Sequence, residues 1–471
     1  MKKSMLVLML AATGTMFMTS CSKKGCTDPL ATNYDEKAKK DDGSCVYPEP
    51  EPQPQKVVEK SGSITSNETW TSDKIYILKG FVYVESGATL TIQPGTIIKG
   101  DKNSKGSLII KRGAKIIAQG TASQPIIFTS SQPAGSRDYG DWGGIIICGK
   151  APVNLPGGEG LVEGGVDAYF GGNDPEDNSG ILEYVRIEYP GIAFQPNQEI
   201  NGLTLAGVGR GTKINHVQVS YPGDDAFEFF GGTVNAKYLI SYKAWDDDFD
   251  TDNGWSGTVQ FAVALRDPAI ADQSGSNGFE SDNDGQGTSA TPITSGIFCN
   301  VSIFGPKKDG STTINGQFKR AAHIRRNSQL KIFNSLLAGF PTGLLIDGSA
   351  CETNANNGDL VVANTIISGC NTPLSTASGS TFDINTWFND PSKSNQVISD
   401  NSTLMVGNAW NLSSPNFVPQ SGSPLLSGAS FTHPQLATNP NIEVVSFRGA
   451  FGSQDWTTSW AEYNPQQKNY E

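Results

Sequence analysis

The chain has 471 residues with 53 glycines and 26 prolines, and 47 acidic against 35 basic side chains leave a net charge of −12. Glycine at this level without a three-residue period argues against collagen, and a hydrophobic fraction of 37% argues against wholesale disorder. The acidic balance argues against recognition of a phosphate backbone, which needs a basic footprint, so nucleic acid is not an expected partner.

Lys2 and Lys3 precede an apolar stretch, residues 4–17, that Thr13 and Gly14 interrupt too soon for it to span a bilayer. The segment ends at Met18-Thr19-Ser20-Cys21, which resembles a bacterial lipobox with Met18 where leucine is usual. That resemblance implies a signal peptide over 1–20, a diacylated Cys21 and attachment to a membrane, with a secretory signal and a free Cys21 as the other reading. Residues 21–47 then carry Gly25-Cys26-Thr27-Asp28-Pro29, Ala31-Thr32-Asn33-Tyr34 and Asp41-Asp42-Gly43-Ser44-Cys45. This unit resembles the short Cys-bracketed modules behind the lipid anchors of Bacteroidota surface proteins. In an oxidising compartment Cys26 and Cys45 can pair, closing a loop of about 20 residues for around 3 kcal/mol. Asp28, Asn33, Asp41 and Asp42 are either Ca²⁺ ligands or turn formers. Prolines 48, 50, 52 and 54 alternate with polar residues, so 48–60 reads as a stiff spacer.

From residue 61 the pattern is all-β. Short apolar runs such as 75–78, 88–92, 107–110 and 125–128 alternate with Gly, Asn and Asp turns, and no stretch sustains a 3.6-residue apolar period. The phrases GATLTIQPGTIIKG (87–100), LIIKRGAKIIAQGTASQPIIFT (108–129) and NFVPQSGSPLLSGA (416–429) resemble the opening and closing segments of right-handed parallel β-helices of the pectin-lyase-like class. The resemblance implies such a solenoid over 61–430. The aromatic segment 431–471, and residues 61–74 at the other end, are expected to cap its core. Cys148 and Cys299 follow apolar residues and read as small buried hydrophobes, whereas Cys351 and Cys370 are candidates for a second disulfide.

Internal repeats support the solenoid without the resemblance. Val185-Arg-Ile-Glu-Tyr-Pro-Gly191 recurs as Val217-Gln-Val-Ser-Tyr-Pro-Gly223, and Phe227-Glu228 recurs as Phe249-Asp250 and Phe279-Glu280, at intervals of 22 and 30 residues. With period-two side chains, an inward phenylalanine sends Glu228, Asp250 and Glu280 outward, together with Asp252 and Asp282. Coils stack at about 4.8 Å, and two bare carboxylates at that separation repel by roughly 3 kcal/mol at an effective dielectric of 20. Such a ladder needs a cation, a raised pKa or an interleaved base. Asp224, Asp225, Asp246, Asp247, Asp248 and Asp284 enlarge the cluster, and all-oxygen ligands without nearby Cys or His favour Ca²⁺. The competing reading is that these acids are solvated turn residues. Between residues 224 and 284 there are 13 acids against three bases, so one segment carries almost all of the net charge.

In Ca²⁺-dependent polysaccharide lyases of the class that the chain resembles, an acidic ladder holds Ca²⁺ and bridges to uronate while a nearby Arg or Lys takes a proton. His323 and Arg325 are the candidates for that part here, with ion pairing to the acids as the plainer role. Asp224-Asp225 superficially resembles the paired aspartates of inverting pectin-type glycosidases, but that family's Gly-His-Gly and Arg-x-Lys motifs are absent. Trp245 and Trp255 flank the acid run and are candidates for stacking on a sugar ring, against coil-edge packing. The phrases YPGDD (221–225), WDDDFDTDNG (245–254) and VVSFRGAFG (444–452) resemble uncharacterised Bacteroidota β-helix lipoproteins of the outer membrane, often encoded near TonB-dependent transporters. The expected role is therefore a lipid-anchored envelope protein that binds Ca²⁺ and, through it, a glycan or a partner protein. A lyase and a purely structural scaffold are the alternatives.

Overall fold

The computed structural model divides into two compact units, Met1–Pro54 and Gln55–Glu471. It describes residues 22–47 of the first and 56–195 and 198–470 of the second. Cys21, the signal segment 1–20 and spacer residues 48–55 lie outside the described residues. In the small unit Cys26 and Cys45 form a disulfide. Its acids are turn formers: Asp28, Asp41 and Asp42 each accept a backbone N–H two residues ahead, from Leu30, Gly43 and Ser44.

The large unit is a parallel β-helix. Among the described residues, 26 strands join one parallel sheet that winds round the core as three faces. Each face carries a register-aligned column of inward side chains. On the first face it runs Ile98, Phe128, Ile187, Val219; on the second Leu203, Phe227, Phe249, Phe279; on the third Leu182, Ile214, Ala236, Val259. The three phenylalanines are fully buried and stack at 5.5 Å between neighbours. Burying each ring contributes about 2 kcal/mol, and like-on-like stacking adds to it.

The bend from third to first face is made by a column of residues in the left-handed region: Tyr184, His216, Tyr238, Phe261, Asn300, Asn334 and Asn364, with φ between 50° and 61°. That conformation is costly for ring-bearing residues. Here it lets four rings stack, at 4.4 Å for Tyr184 on His216, 4.4 Å for His216 on Tyr238 and 5.1 Å for Tyr238 on Phe261.

Several expectations need correction. The solenoid begins at Lys56, where the strand Lys56–Ile64 pairs with Lys74–Val84, so residues 56–60 are sheet rather than spacer and 61–74 belong to the first coil rather than to a cap. The last strand of the ladder, Gln396–Ile398, ends well before residue 430. The segment 431–471 does not cap the core but runs back along the outside of the third-to-first bend. On the way Ser430 N–H donates to Asn334, the Phe447 carbonyl accepts from Asn300, and Glu443 and Glu462 exchange bonds with Gln260 and Gln218. Trp460 closes over His216 at 5.5 Å and Trp456 over Tyr238 at 5.3 Å. The last coil is instead closed by a short helix, Ile384–Phe388, whose Ile384 and Phe388 join the main core. Cys351 and Cys370 are both free thiols. Cys351 is buried in a helix the sequence pattern did not predict, Ser349–Asn357, inserted between two coils.

Candidate metal centre on the second face

The Phe-acid repeat sits in perfect register. Glu228 pairs with Asp250 and Asp250 with Glu280, while Phe230 pairs with Asp252 on the outward side and Phe229, Thr251 and Ser281 align on the inward side. The inward phenylalanines therefore place the three acids in one outward column, with Asp252 and Asp282 two residues on. The preceding turns add a second column, in which Asp225 Oδ1 accepts the Asp247 N–H at 2.7 Å and Asp247 Oδ1 accepts the Asn277 N–H. In three overlapping trios, Asp224/Asp225/Asp246, Asp225/Glu228/Asp250 and Asp247/Asp250/Glu280, one oxygen from each residue lies within 4.8 Å of the other two.

These carboxylates are not solvated turn residues. Asp225, Glu228 and Asp247 are buried, with Asp250 half-buried beside them. Burial, and then the charge of their neighbours, pushes all four well above the usual carboxylate range. At the rim, burial raises Asp246 to about 6 and Asp252 to about 7. Glu228 Oε1, Asp246 Oδ1 and Asn277 Oδ1 are buried with no hydrogen-bond partner. Unpartnered oxygens among crowded carboxylates, with no nitrogen or sulfur donor in the trios, match the ligand set of a hard divalent cation.

Two acids of the enlarged cluster do other work. Asp248 points inward to a fully buried ion pair with Arg266 at 3.2 Å and accepts from Ser241 Oγ at 2.5 Å, and Arg266 also donates to the Asn277 and Trp245 carbonyls. That pair holds the corner from which Asp246 and Asp247 project. Asp284 is a partly exposed turn residue that accepts from Gln286 and Thr288.

The next strand, Arg320–Ile324, brings the basic residues to the end of the acidic column, with His323 in register with Glu280. His323 Nε2 lies 2.9 Å from Asp347 and Nδ1 3.5 Å from Glu280. Arg325 pairs with both Glu280 and Asp282, at 2.8 Å to the latter, and Arg326 holds the other Asp282 oxygen at 2.7 Å. Burial pushes Glu280 up, but the His323 hydrogen bond and the Arg325 charge outweigh it and leave its pKa below the ordinary value. Burial opposes the Arg325 charge, yet the Asp282 bond and the Glu280 charge raise its pKa further. Arg325 is thus a paired cation at the Glu280 end of the column, and Asp250 and Glu228 continue the column away from it. Alongside Arg325, Arg326 and Asp347 runs a groove of about 430 Å³.

Trp255 is not a stacking residue: it is fully buried, with its indole N–H directed to the Val234 carbonyl inside the coil. Trp245 is half-buried with its ring edge-on to Tyr139 at 5.2 Å. The sequence reading missed Glu163, Asn201, Asn277 and Arg326. Asn201 Nδ2 donates to Glu163 at 3.1 Å and reaches Glu228 at 3.5 Å. Burial, then the charge of Glu199, raises Glu163 to about 7. Glu163 comes from a long insertion between second- and third-face strands, so no repeat in the sequence points to it.

The profile of the pectate-lyase-like beta helix domain matches residues 62–411. The chain belongs to this family. The match spans every coil that carries the acidic columns and supports a carbohydrate-related role. A search of curated proteins finds no match.

Proposed function

We propose that this β-helix protein is a lipid-anchored component of the cell envelope that binds Ca²⁺ on its second face and, through the bound ion, an acidic glycan. The observation that carries the reading is the crowding of buried Asp225, Glu228 and Asp247 with half-buried Asp250, beside unpartnered oxygens on Glu228, Asp246 and Asn277. Asp224, Asp246, Asp252, Glu280 and Asp282 complete the surround. Bound Ca²⁺ would offset the charge and present open coordination positions to a uronate carboxylate. The lipobox resemblance at Cys21 supports a lipid anchor, and the resemblance of 221–225, 245–254 and 444–452 to outer-membrane β-helix lipoproteins suggests that membrane and a TonB-dependent transporter as partner. Polyuronate binding followed by calorimetry tests the reading. Affinity for oligogalacturonate should fall at least tenfold when Ca²⁺ is removed with EGTA, and equal affinity with and without Ca²⁺ would sink it.

A second reading, a Ca²⁺-dependent lyase, is favoured by the register of His323 with Glu280 beside the acidic column. Its Arg325 is already committed to Glu280 and Asp282, which ranks it below binding. Accumulation of ultraviolet-absorbing unsaturated product from polygalacturonate, lost in Arg325→Ala, would reverse that order.

A further inference from the structure

The insertion that carries Glu163 also forms a two-stranded antiparallel ribbon, Glu159–Leu161 against Tyr169–Gly171, in which Leu161 and Tyr169 are direct cross-strand partners. Exposure alternates along it. Val162, Val166, Ala168 and Phe170 are buried against Ile109, Ile146 and Cys148 of the second face, while Leu161 and Tyr169 remain 55% and 52% exposed. Directly opposed side chains stand about 5 Å apart on the same face of a ribbon, so the isobutyl group and the phenol ring form one apolar platform. Its rim is polar: Asp167 is exposed, and Glu159 is held by Arg112 at 2.7 Å. Two residues past Leu161 the chain delivers Glu163 to the acidic cluster, through Asn201 to Glu228. Two extended residues span at most about 7 Å, so the platform ends beside the acidic cleft.

Scattered exposed apolar residues are ordinary on any surface. This pair differs in its setting, because a rigid aromatic face rimmed by carboxylates and a guanidinium suits a ligand that is apolar on its faces and hydroxylated at its edges. Two side chains are also too small a patch for a protein interface. We infer that Tyr169 and Leu161 form a stacking subsite for a sugar ring of the same glycan whose charged groups reach the metal centre, an assignment that rests on the glycan-binding reading above. The stacking role passes from the two tryptophans to a ribbon that the solenoid repeats do not contain.

The test is oligogalacturonate binding to the full chain loaded with Ca²⁺. Tyr169→Ala should weaken glycan binding at least tenfold, Tyr169→Phe and Tyr169→Trp should retain it, and Ca²⁺ affinity should stay the same in all three. Unchanged glycan affinity in Tyr169→Ala overturns the subsite, as does a parallel loss of Ca²⁺ affinity, which would mark a structural role. If the unmodified chain binds no oligogalacturonate, or binds it without regard to Ca²⁺, the parent reading fails first and the subsite falls with it.

Discussion

Two columns of side chains run along this solenoid, one at the third-to-first bend and one on the second face, and they respond to the same stacking in opposite ways. At the bend, Tyr184, His216, Tyr238 and Phe261 place ring on ring, and Trp456 and Trp460 seal them. On the second face, Glu228, Asp250 and Glu280 place carboxylate on carboxylate. A parallel coil multiplies whatever interaction a residue makes with its own kind, so an aromatic column stabilises as it lengthens and a like-charged column becomes more costly. The chain ends its acidic column with Arg325 and Arg326, whereas among the described residues no base forms an ion pair with Asp225, Glu228, Asp247 or Asp250. The difference teaches that this strain is stored at one place, which is how functional sites are commonly recognised.

The attractive side of the comparison breaks with the largest effect. Phe249→Ala, in the middle of the phenylalanine stack beneath the acids, should cost about 4 kcal/mol, and Trp460→Ala at the sealed bend about 3 kcal/mol, both read by chemical denaturation. Only the first should also weaken Ca²⁺ binding, because only that ring underlies the acidic column.

The repulsive side responds to pH. Glu163 and Asp252, raised to about 7 by burial, and Asp246, raised to about 6, hold their protons more tightly folded than unfolded. Their contribution is fully present below the unfolded carboxylate pKa of about 4 and is lost as pH rises through about 7. With EGTA present, the melting temperature should therefore fall by several degrees between pH 5 and pH 8, and saturating Ca²⁺ should remove most of that fall. A metal-free protein equally stable at both pH values would show that burial does not hold protons on these carboxylates.

Much of this contrast was legible in the sequence. The Phe-acid repeat at 227, 249 and 279 carried both the inward stack and the outward column, because period-two geometry and coil stacking leave one arrangement for such a repeat. The Val-x-x-x-Tyr-Pro-Gly repeat likewise marked successive coils, and its two copies pair residue for residue. What stayed hidden had two sources. Glu163 reaches the site on an insertion whose path no local pattern encodes, whereas Asn201 holds the corner position of Asp225 and Asp247 one coil earlier, as an uncharged member of that column. The bend combines asparagines at 300, 334 and 364, which tolerate the left-handed conformation, with Tyr184, Tyr238 and Phe261, for which the packed ring column accounts. Trp255 looked available because it follows the acids, yet one turn further along the coil its side chain faces inward. The C-terminal aromatics looked like an end cap because apolar side chains need cover, and a lateral strap answers that need equally well.

The smallest change decides most. Replacing Asp250, which belongs to two of the three carboxylate trios, by asparagine removes one charge from the middle of the column. Melting of Asp250→Asn and of the unmodified chain, each with EGTA and with Ca²⁺, puts the central claim to a direct test. The account predicts that Asp250→Asn melts higher than the unmodified chain in EGTA, by the equivalent of about 1–3 kcal/mol, and gains little from Ca²⁺. A variant that melts lower in EGTA while keeping the full response to Ca²⁺ would contradict it.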